Sequence, residues 1–509
     1  MNDLNRSKRI AKNSLLLYIR TFFVLIISLY TSRVILRTLG VEDFGIYNVV
    51  AGVIVMLGYL TNSLSAASSR YITYNLGKGK LDIMKSTFGN ILSIHFIMAG
   101  IILLIAETIG LWFVCTQLNI PTNRQDAAMW VYQFAILSAV VALIGIPYKS
   151  AIIAHEKMSA FAYISIIDVV LKLAIACVLP LIPYDRLIIY SFLFLCIQLF
   201  DRIIYGVYCT RHFEETLSRI TYNSKLFKEI FAFAGWSMTG NIAAMGFSQG
   251  LNILLNIFYG PMVNAARGIA IQVQSACQQF CSNFQMAINP QLTKSYARGD
   301  LEYTHKLLIK SSKFSFFILF FIVLPLMFKA DFVLKIWLEI VPEHTVNFLR
   351  LILIIGLFYT LSNPIIVSVQ ATGKIKKFQI TEGCILLTIV PISYFLLKFG
   401  QVPPESVFVV HILIEIITQY ARLNIALPMI GLTFEVYLKQ VMLPIIRVVL
   451  LSPIIPLIIS SYIPNNSWIT FGIICIICVV NTSFLIFTLG CTTSEREFLT
   501  TKFLYKIIK

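Results

Sequence analysis

Charge is what this chain has least of. Charged residues make up 13% of its 509 positions, about half the share in an ordinary soluble domain. Acids are the scarcer sign, 24 Asp and Glu against 41 Lys and Arg, and only six histidines occur. No polar stretch is long enough to fold as a soluble catalytic domain. There is no GxxxxGK[ST], so Gly77-Lys78-Gly79-Lys80 is a basic loop and not a phosphate cradle, and neither HExxH nor GxSxG appears. These absences exclude a secreted enzyme, a soluble nucleic-acid binder and an ATP-hydrolysing pump with its own nucleotide domain. No catalytic residue, cofactor or metal site is expected. The ten cysteines lie mostly in apolar runs, and the Cys475/Cys478 CxxC sits inside one, where packing is expected in place of metal ligation.

What the chain has is apolar surface: 58% of its residues are hydrophobic. A helix needs about 20 residues to cross the hydrocarbon layer, and fourteen crossings would take up nearly all of them. Apolar runs between charged or Pro/Gly turns place these at 13–36, 44–69, 86–115, 126–148, 160–182, 187–208, 231–257, 262–288, 313–334, 346–370, 378–397, 405–427, 441–461 and 468–489. Segment 262–288 is rich in Gln and 441–461 in Pro. The basic start runs directly into the first apolar segment without a cleavage site, as expected of an uncleaved first crossing.

An even number of crossings puts both termini on one side. Segments on that side carry 27 Lys and Arg, the opposite segments 6, and the crossings the remaining 8 of the 41. Basic residues gather on the cytoplasmic side, so both termini are expected there. The net charge of +17 follows from this topology and needs no nucleic-acid partner.

A repeat search organises the crossings. A shift of 220 places Gly40 on Gly260 and the loop from Leu76 to Asp82 on that from Tyr296 to Glu302. A shift of 217 places Pro147 on Pro364, Ala154 on Ala371, Lys157 on Lys374 and Phe161 on Phe378. The expected architecture is an all-α polytopic membrane protein of two parallel six-helix lobes plus two C-terminal helices: an N-lobe over 1–208, a linker over 209–230, a C-lobe over 231–427, and helices 13 and 14 with a tail over 428–509. Like-oriented lobes around a cavity suit alternating access, so transport is the leading expectation and a membrane scaffold the bland one. The energy must come from an ion gradient, the membrane potential or the substrate gradient.

Charges within crossings face protein or water when they are deep. The cations are Arg20, Arg33, Lys172, Arg202, Arg267, Arg350, Arg422 and Arg447; the acids are Glu107, Asp168, Asp201, Glu382 and Glu415. Arg350, Glu382 and Arg447 lie near helix ends and can snorkel. Asp168 and Lys172 share a face four residues apart, either as an intrahelical pair or as a cavity cation with a titratable partner. His411, Glu415, Gln419 and Arg422 form one stripe, suited to a proton path or to an inter-helix network. Asn252, Gln274 and Gln278 belong to amide stripes that suit a wet wall or amide-mediated packing. The cation excess favours an anionic cargo over a cationic drug. Arg20, Arg33, Lys172 and Arg267 are therefore the candidates for cargo attraction, and Asp168 and Glu415 for proton or ion coupling.

The segment Leu39-Gly40-Val41-Glu42-Asp43-Phe44-Gly45-Ile46-Tyr47-Asn48-Val49-Val50 resembles the LGxxxFGxYxLV signature of Wzx-type polysaccharide and O-antigen flippases, the polysaccharide branch of the MOP superfamily related to MATE transporters. Tyr259–Ala270 resembles its C-lobe counterpart, with Arg267 where the pattern usually has a small or aromatic residue. The resemblance covers the whole chain, including the 6+6+2 plan. It implies a bacterial inner-membrane protein that moves undecaprenyl-pyrophosphate-linked oligosaccharide, the repeat unit of O-antigen, capsule or exopolysaccharide, from the inner to the outer leaflet. It further implies a cationic lumen, contact with membrane lipids, a polysaccharide polymerase and chain-length machinery as partners, and H+ or Na+ as counter-ion. The alternative is an ion-coupled multidrug or small-metabolite antiporter of the same fold.

Overall fold

The computed structural model describes residues 3–55, 58–117, 120–218, 220–338, 341–462 and 468–500. The described chain is helical throughout, with no strand among the described residues. Its helices are α1 (Asp3–Val55), α2 (Gly58–Lys78), α3 (Leu81–Thr116), α4 (Thr122–Ala154), α5 (Met158–Leu181), α6 (Arg186–His212), α7 (Ser224–Tyr259), α8 (Pro261–Ala297), α9 (Leu301–Phe328), α10 (Ala330–Trp337), α11 (Thr345–Thr372), α12 (Lys376–Gly400), α13 (Ser406–Met429), α14 (Phe434–Tyr462), α15 (Trp468–Gly490) and α16 (Thr493–Leu499).

Among the described residues, twelve helices are long and apolar enough to cross a membrane. Two of the fourteen expected crossings are absent from that set. The one over 44–69 runs across residues 56–57, which lie outside the described residues. The one over 262–288 is contained in the 37-residue α8, which has ample length but whose Gln and Asn residues keep it more polar than the twelve. The end of the expected cytoplasmic tail, 501–509, also lies outside the described residues.

The repeat is written into the backbone. Gly40 and Gly260 stand at φ 79° and 80°, and Gly79 and Gly299 at 70° and 78°, both pairs 220 positions apart. Glycine, which has no Cβ, adopts such positive φ without the steric cost that other residues meet. Gly40 breaks α1 into two helices. Glu156, at φ 58°, corresponds to Gly373 at 79° under the 217 shift.

The chain divides into two compact units, Met1–Ile242 with Thr293–Gly299, and Ala243–Leu292 with Asp300–Lys509. In the first, α4 packs along α6 and α1 along α5. The signature segment has a packing role here. Leu39, Ile46 and Val50 are buried with Tyr132, Leu179 and Leu187, while Phe44 and Tyr47 pack against that cluster. Asp43 accepts two hydrogen bonds from Arg124, at 2.8 and 2.6 Å. In the second unit, α11 lies between α9 and α13. Helices α7 and α12 approach closely where small residues permit it: a Cβ on Gly383 would lie 3.0 Å from that of Ala243, and one on Gly250 would lie 2.6 Å from Val390.

Candidate functional site

In the first unit a cavity of about 170 Å³ opens between α1, α5 and α6. Its polar lining is Ser28, Thr31, Ser32, Lys172 and Tyr190, and Phe194 supplies an aromatic wall. The four-residue spacing of Asp168 and Lys172 puts them one helical turn apart, and Lys172 Nζ donates to Asp168 Oδ2 at 2.9 Å. The ammonium also lies 5.3 Å from the Phe194 ring centre. Its side chain keeps 30% exposure, so the charge is held but reachable.

A wider network surrounds this pair. Asp201 on α6 is buried and lies near Asp168, Lys149 and Lys172. Arg20 of α1 interacts with Asp168 and Tyr205 and stacks 5.3 Å from the Phe161 ring centre. Lys149 of α4 lies 5.0 Å from the Tyr205 ring centre. Three cations thus face two acids. Lys149 and Asp201 were absent from the sequence-derived site: Lys149 was counted with a cytoplasmic loop, and Asp201 has no helical-spacing partner on its own helix. Arg33 is exposed and has no hydrogen bond or ion pair among the described residues.

In the second unit Arg267 is buried. It donates to the Ser248 carbonyl at 2.9 Å, to Ser248 Oγ at 3.3 Å and to Asn252 Oδ1 at 3.2 Å. The α13 stripe is assembled as its spacing predicts. Arg422 donates to Ser362 Oγ at 2.7 Å, to Gln419 Oε1 at 3.4 Å and to Glu415 Oε1. It also takes Glu382 Oε1 of α12 at 2.7 Å, so Glu382 is turned inward and does not snorkel. Glu415 is fully buried, and its Oε2 has no hydrogen-bond partner among the described residues. His411 lies 3.5 Å from the Tyr359 hydroxyl. The amides divide: Asn252 serves Arg267, and Gln274 packs against Gly356, where a Cβ would come within 3.1 Å of its Nε2. The Oε1 of Gln278 is buried without a partner among the described residues.

The first unit's interior therefore holds three cations against two acids, and the second unit's two cations against two acids, with hydroxyls and amides beside them. Such interiors can bind an oxyanion and exchange a proton. Among the described residues no cluster of His, Cys, Asp or Glu could hold a metal ion.

Comparison with known proteins agrees with the helical plan. The chain is 20% identical over 287 residues to a protein of Bacillus subtilis (strain 168) called uncharacterized membrane protein EpsK, covering 54% of this chain and 55% of that one; the match thus spans about half the length of that relative. A structure of MATE in the bent conformation superposes with a TM-score of 0.72 at 13% identity, over 84% of this chain and 96% of the other. A MOP superfamily transporter from Pyrococcus furiosus, described as having a binding pocket of reversed polarity, gives 0.68 at 12% identity, over 83% and 96%. These likenesses show a MATE-like fold, and the twelve long apolar helices make it that of a multi-pass membrane protein. Residues 10–295 match the family model described as polysaccharide biosynthesis protein, more than half of the chain, and the chain belongs to that family.

Proposed function

We propose that this protein is a flippase that carries undecaprenyl-pyrophosphate-linked oligosaccharide from the inner to the outer leaflet of the bacterial cytoplasmic membrane by alternating access. The observation that carries the reading is the first-unit network: Arg20, Lys149 and Lys172 against Asp168 and Asp201, beside a cavity lined by hydroxyls. A diphosphate is recognised by such cations, and a glycan by hydroxyls and amides that both donate and accept hydrogen bonds. Family membership supports polysaccharide export as the setting.

In this reading Arg20, Arg33, Lys172 and Arg267 attract the diphosphate or an acidic glycan, with Asn252, Gln274 and Gln278 as polar lining. Asp168 and Glu415 take part in coupling to H+ or Na+. The two lobes, 1–208 and 231–427, move about the linker 209–230 while the polyprenyl tail stays in lipid, and both termini face the cytoplasm. A drug cation would meet like charge at Arg20 and Lys172, which argues against the antiporter alternative. The test is reconstitution: proteoliposomes given undecaprenyl-pyrophosphate-linked oligosaccharide on one leaflet should expose the glycan to a lectin on the other. Correctly inserted protein that leaves the lipid on its original leaflet would sink the proposal.

A further inference from the structure

Arg202 of α6 takes no part in the cavity. It lies on a different face of the helix from Tyr190, Phe194 and Ile197, which line that space. A helical side chain ordinarily leans toward the N-terminus of its helix. This one runs the other way: a Cβ on Gly206, one turn toward the C-terminus, would stand 2.7 Å from its Nη1. Gly145 of α4 clears the opposite side, where a Cβ would lie 3.6 Å from the arginine Cδ. The guanidinium comes to rest on Tyr148 of α4, with Cζ 4.0 Å from the ring centre. That ring is itself fixed: Phe88 meets it edge-on at 5.4 Å and 81°, and the Tyr148 carbonyl accepts from Cys209 Sγ at 3.4 Å. Stacking on a ring face engages the charge of a guanidinium and none of its five N–H donors. Arg202 has no hydrogen bond or ion pair among the described residues. It is partly exposed, so its donors are reachable from outside.

The depth of this group in the bilayer follows from helix geometry. Gly206 comes six residues before His212, the last of α6, about 9 Å along the axis. The 27-residue helix is about 40 Å long, so centred on a hydrocarbon layer of about 30 Å it projects about 5 Å at each end. The guanidinium then lies about 4 Å inside the hydrocarbon edge, within reach of a headgroup drawn slightly inward. Water is scarce at that level, and donors left unanswered there are costly. From the same level Ile203, Leu199 and Phe192, all exposed, step toward the membrane centre along one stripe of α6. From Ile203 to Phe192 the stripe runs about 16 Å, close to half the hydrocarbon thickness.

We propose that Arg202 holds the phosphate diester of an anionic phospholipid, with an acyl chain lying along Ile203, Leu199 and Phe192. The lipid belongs to the leaflet at the C-terminal end of α6, the cytoplasmic one in the topology proposed above. The two unesterified oxygens of a diester match the planar fork of a guanidinium. A zwitterionic lipid brings its own cation to compete for that phosphate, which favours an anionic one. A polyprenyl diphosphate has similar oxygens but more charge than one guanidinium offsets, and the cations assigned to cargo gather elsewhere. The site therefore goes beyond the flippase reading, and its failure would leave that reading untouched.

Native mass spectrometry of the full-length protein, delipidated in detergent and titrated with phosphatidylglycerol, tests the site. The wild type should take up one such lipid more tightly than any that follow. Arg202→Gln should weaken that first binding by at least about tenfold, the scale of a charge-assisted hydrogen bond. Gly206→Ala keeps the arginine but sets a methyl group against Nη1, and it should weaken the same binding. Arg211→Gln removes an exposed charge from the last turn of the same helix and should leave the binding intact. Equal affinity in the wild type and Arg202→Gln overturns the proposal; if Arg202→Gln fails to insert, unchanged affinity in Gly206→Ala does so. A loss in Arg211→Gln as large as that in Arg202→Gln also overturns it, since the attraction is then general to basic residues. Undecaprenyl pyrophosphate and inorganic phosphate are titrated in the same way. Dependence on Arg202 for the polyprenyl lipid and not for phosphatidylglycerol gives the site to the cargo and overturns the phospholipid. Inorganic phosphate that binds as tightly as phosphatidylglycerol overturns the role of the acyl stripe.

Discussion

Lys313 and Glu495 meet inside the protein, Nζ to Oε2 at 2.6 Å, with side-chain exposures of 1% and 8%. The pair fastens α16 to α9, and Glu495 also closes a capping box with Thr492 at the start of α16. Removing one member of a buried pair strands the other charge, at a cost of about 3 to 5 kcal/mol, whereas an apolar replacement of both is close to neutral. Lys313→Met and Glu495→Leu should each lower the melting temperature, and the double variant should recover most of the loss. A thermal double-mutant cycle in detergent checks this; additive losses would contradict it.

Glu156 gathers a second knot. It accepts from Lys294 at 2.8 Å and from Arg9 at 3.0 Å, and its carbonyl takes Asn13 Nδ2 at 3.3 Å. Burial pushes the Lys294 amine below its ordinary range, with Glu156 opposing the shift. Glu156→Gln should lower the melting temperature clearly. Lys306→Ala, which breaks the exposed pair with Glu302, should leave it unchanged, because exposed pairs are screened. Glu156→Gly would ease the φ of 58° and still lose both ion pairs, so it too should melt early; a rise would show that backbone strain outweighs the pairing.

Acid should loosen the turns before α6 and α13. Arg124 binds Asp185 at 2.5 Å as well as Asp43 at 2.6 Å, and 220 positions later His344 binds Glu405 at 2.7 Å. Burial would raise the Asp185 carboxyl, but the Arg124 guanidinium and the Ile188 and Leu187 amides outweigh it and hold the group low. Burial is likewise outweighed at Glu405 by His344 and Asn347. Carboxyls held low in the folded state contribute stability above their unfolded value of about 4 that is lost as pH falls through the folded one. Melting temperature should therefore drop between about pH 5 and about pH 3 in the wild type. Asp185→Asn and Glu405→Gln should start lower and drop less; parallel curves would refute the assignment.

The two ends of the cation set should separate stability from export. Arg33 is exposed and unbonded among the described residues, so Arg33→Gln should melt with the wild type while reducing glycan export. Arg267→Gln abandons three hydrogen bonds and should reduce both. Export unchanged by Arg33→Gln would remove that residue from the cargo path.

The legible parts were those that live on one helix or one repeat. Apolar runs marked the crossings, and the 220 shift marked Gly40 and Gly260 before any torsion was known. Helical spacing paired Asp168 with Lys172 and aligned Glu415, Gln419 and Arg422. Groups that converge from different helices left no local trace. Glu382 reaches Arg422 from α12, and Asp201 lies near Asp168 from α6. Lys149 and Lys313 stand at the edges of the apolar runs 126–148 and 313–334, and hydropathy, which sets such a boundary, cannot tell an ammonium at the helix end from one folded back against an acid.

The matched torsions of Gly40 with Gly260 and of Gly79 with Gly299 separate the frame from its chemistry. One copy now places Lys172 beside a cavity with hydroxyl walls, while the other binds Arg422 to Glu382 and Glu415. The same bends thus recur in both halves, while each half carries its own chemistry.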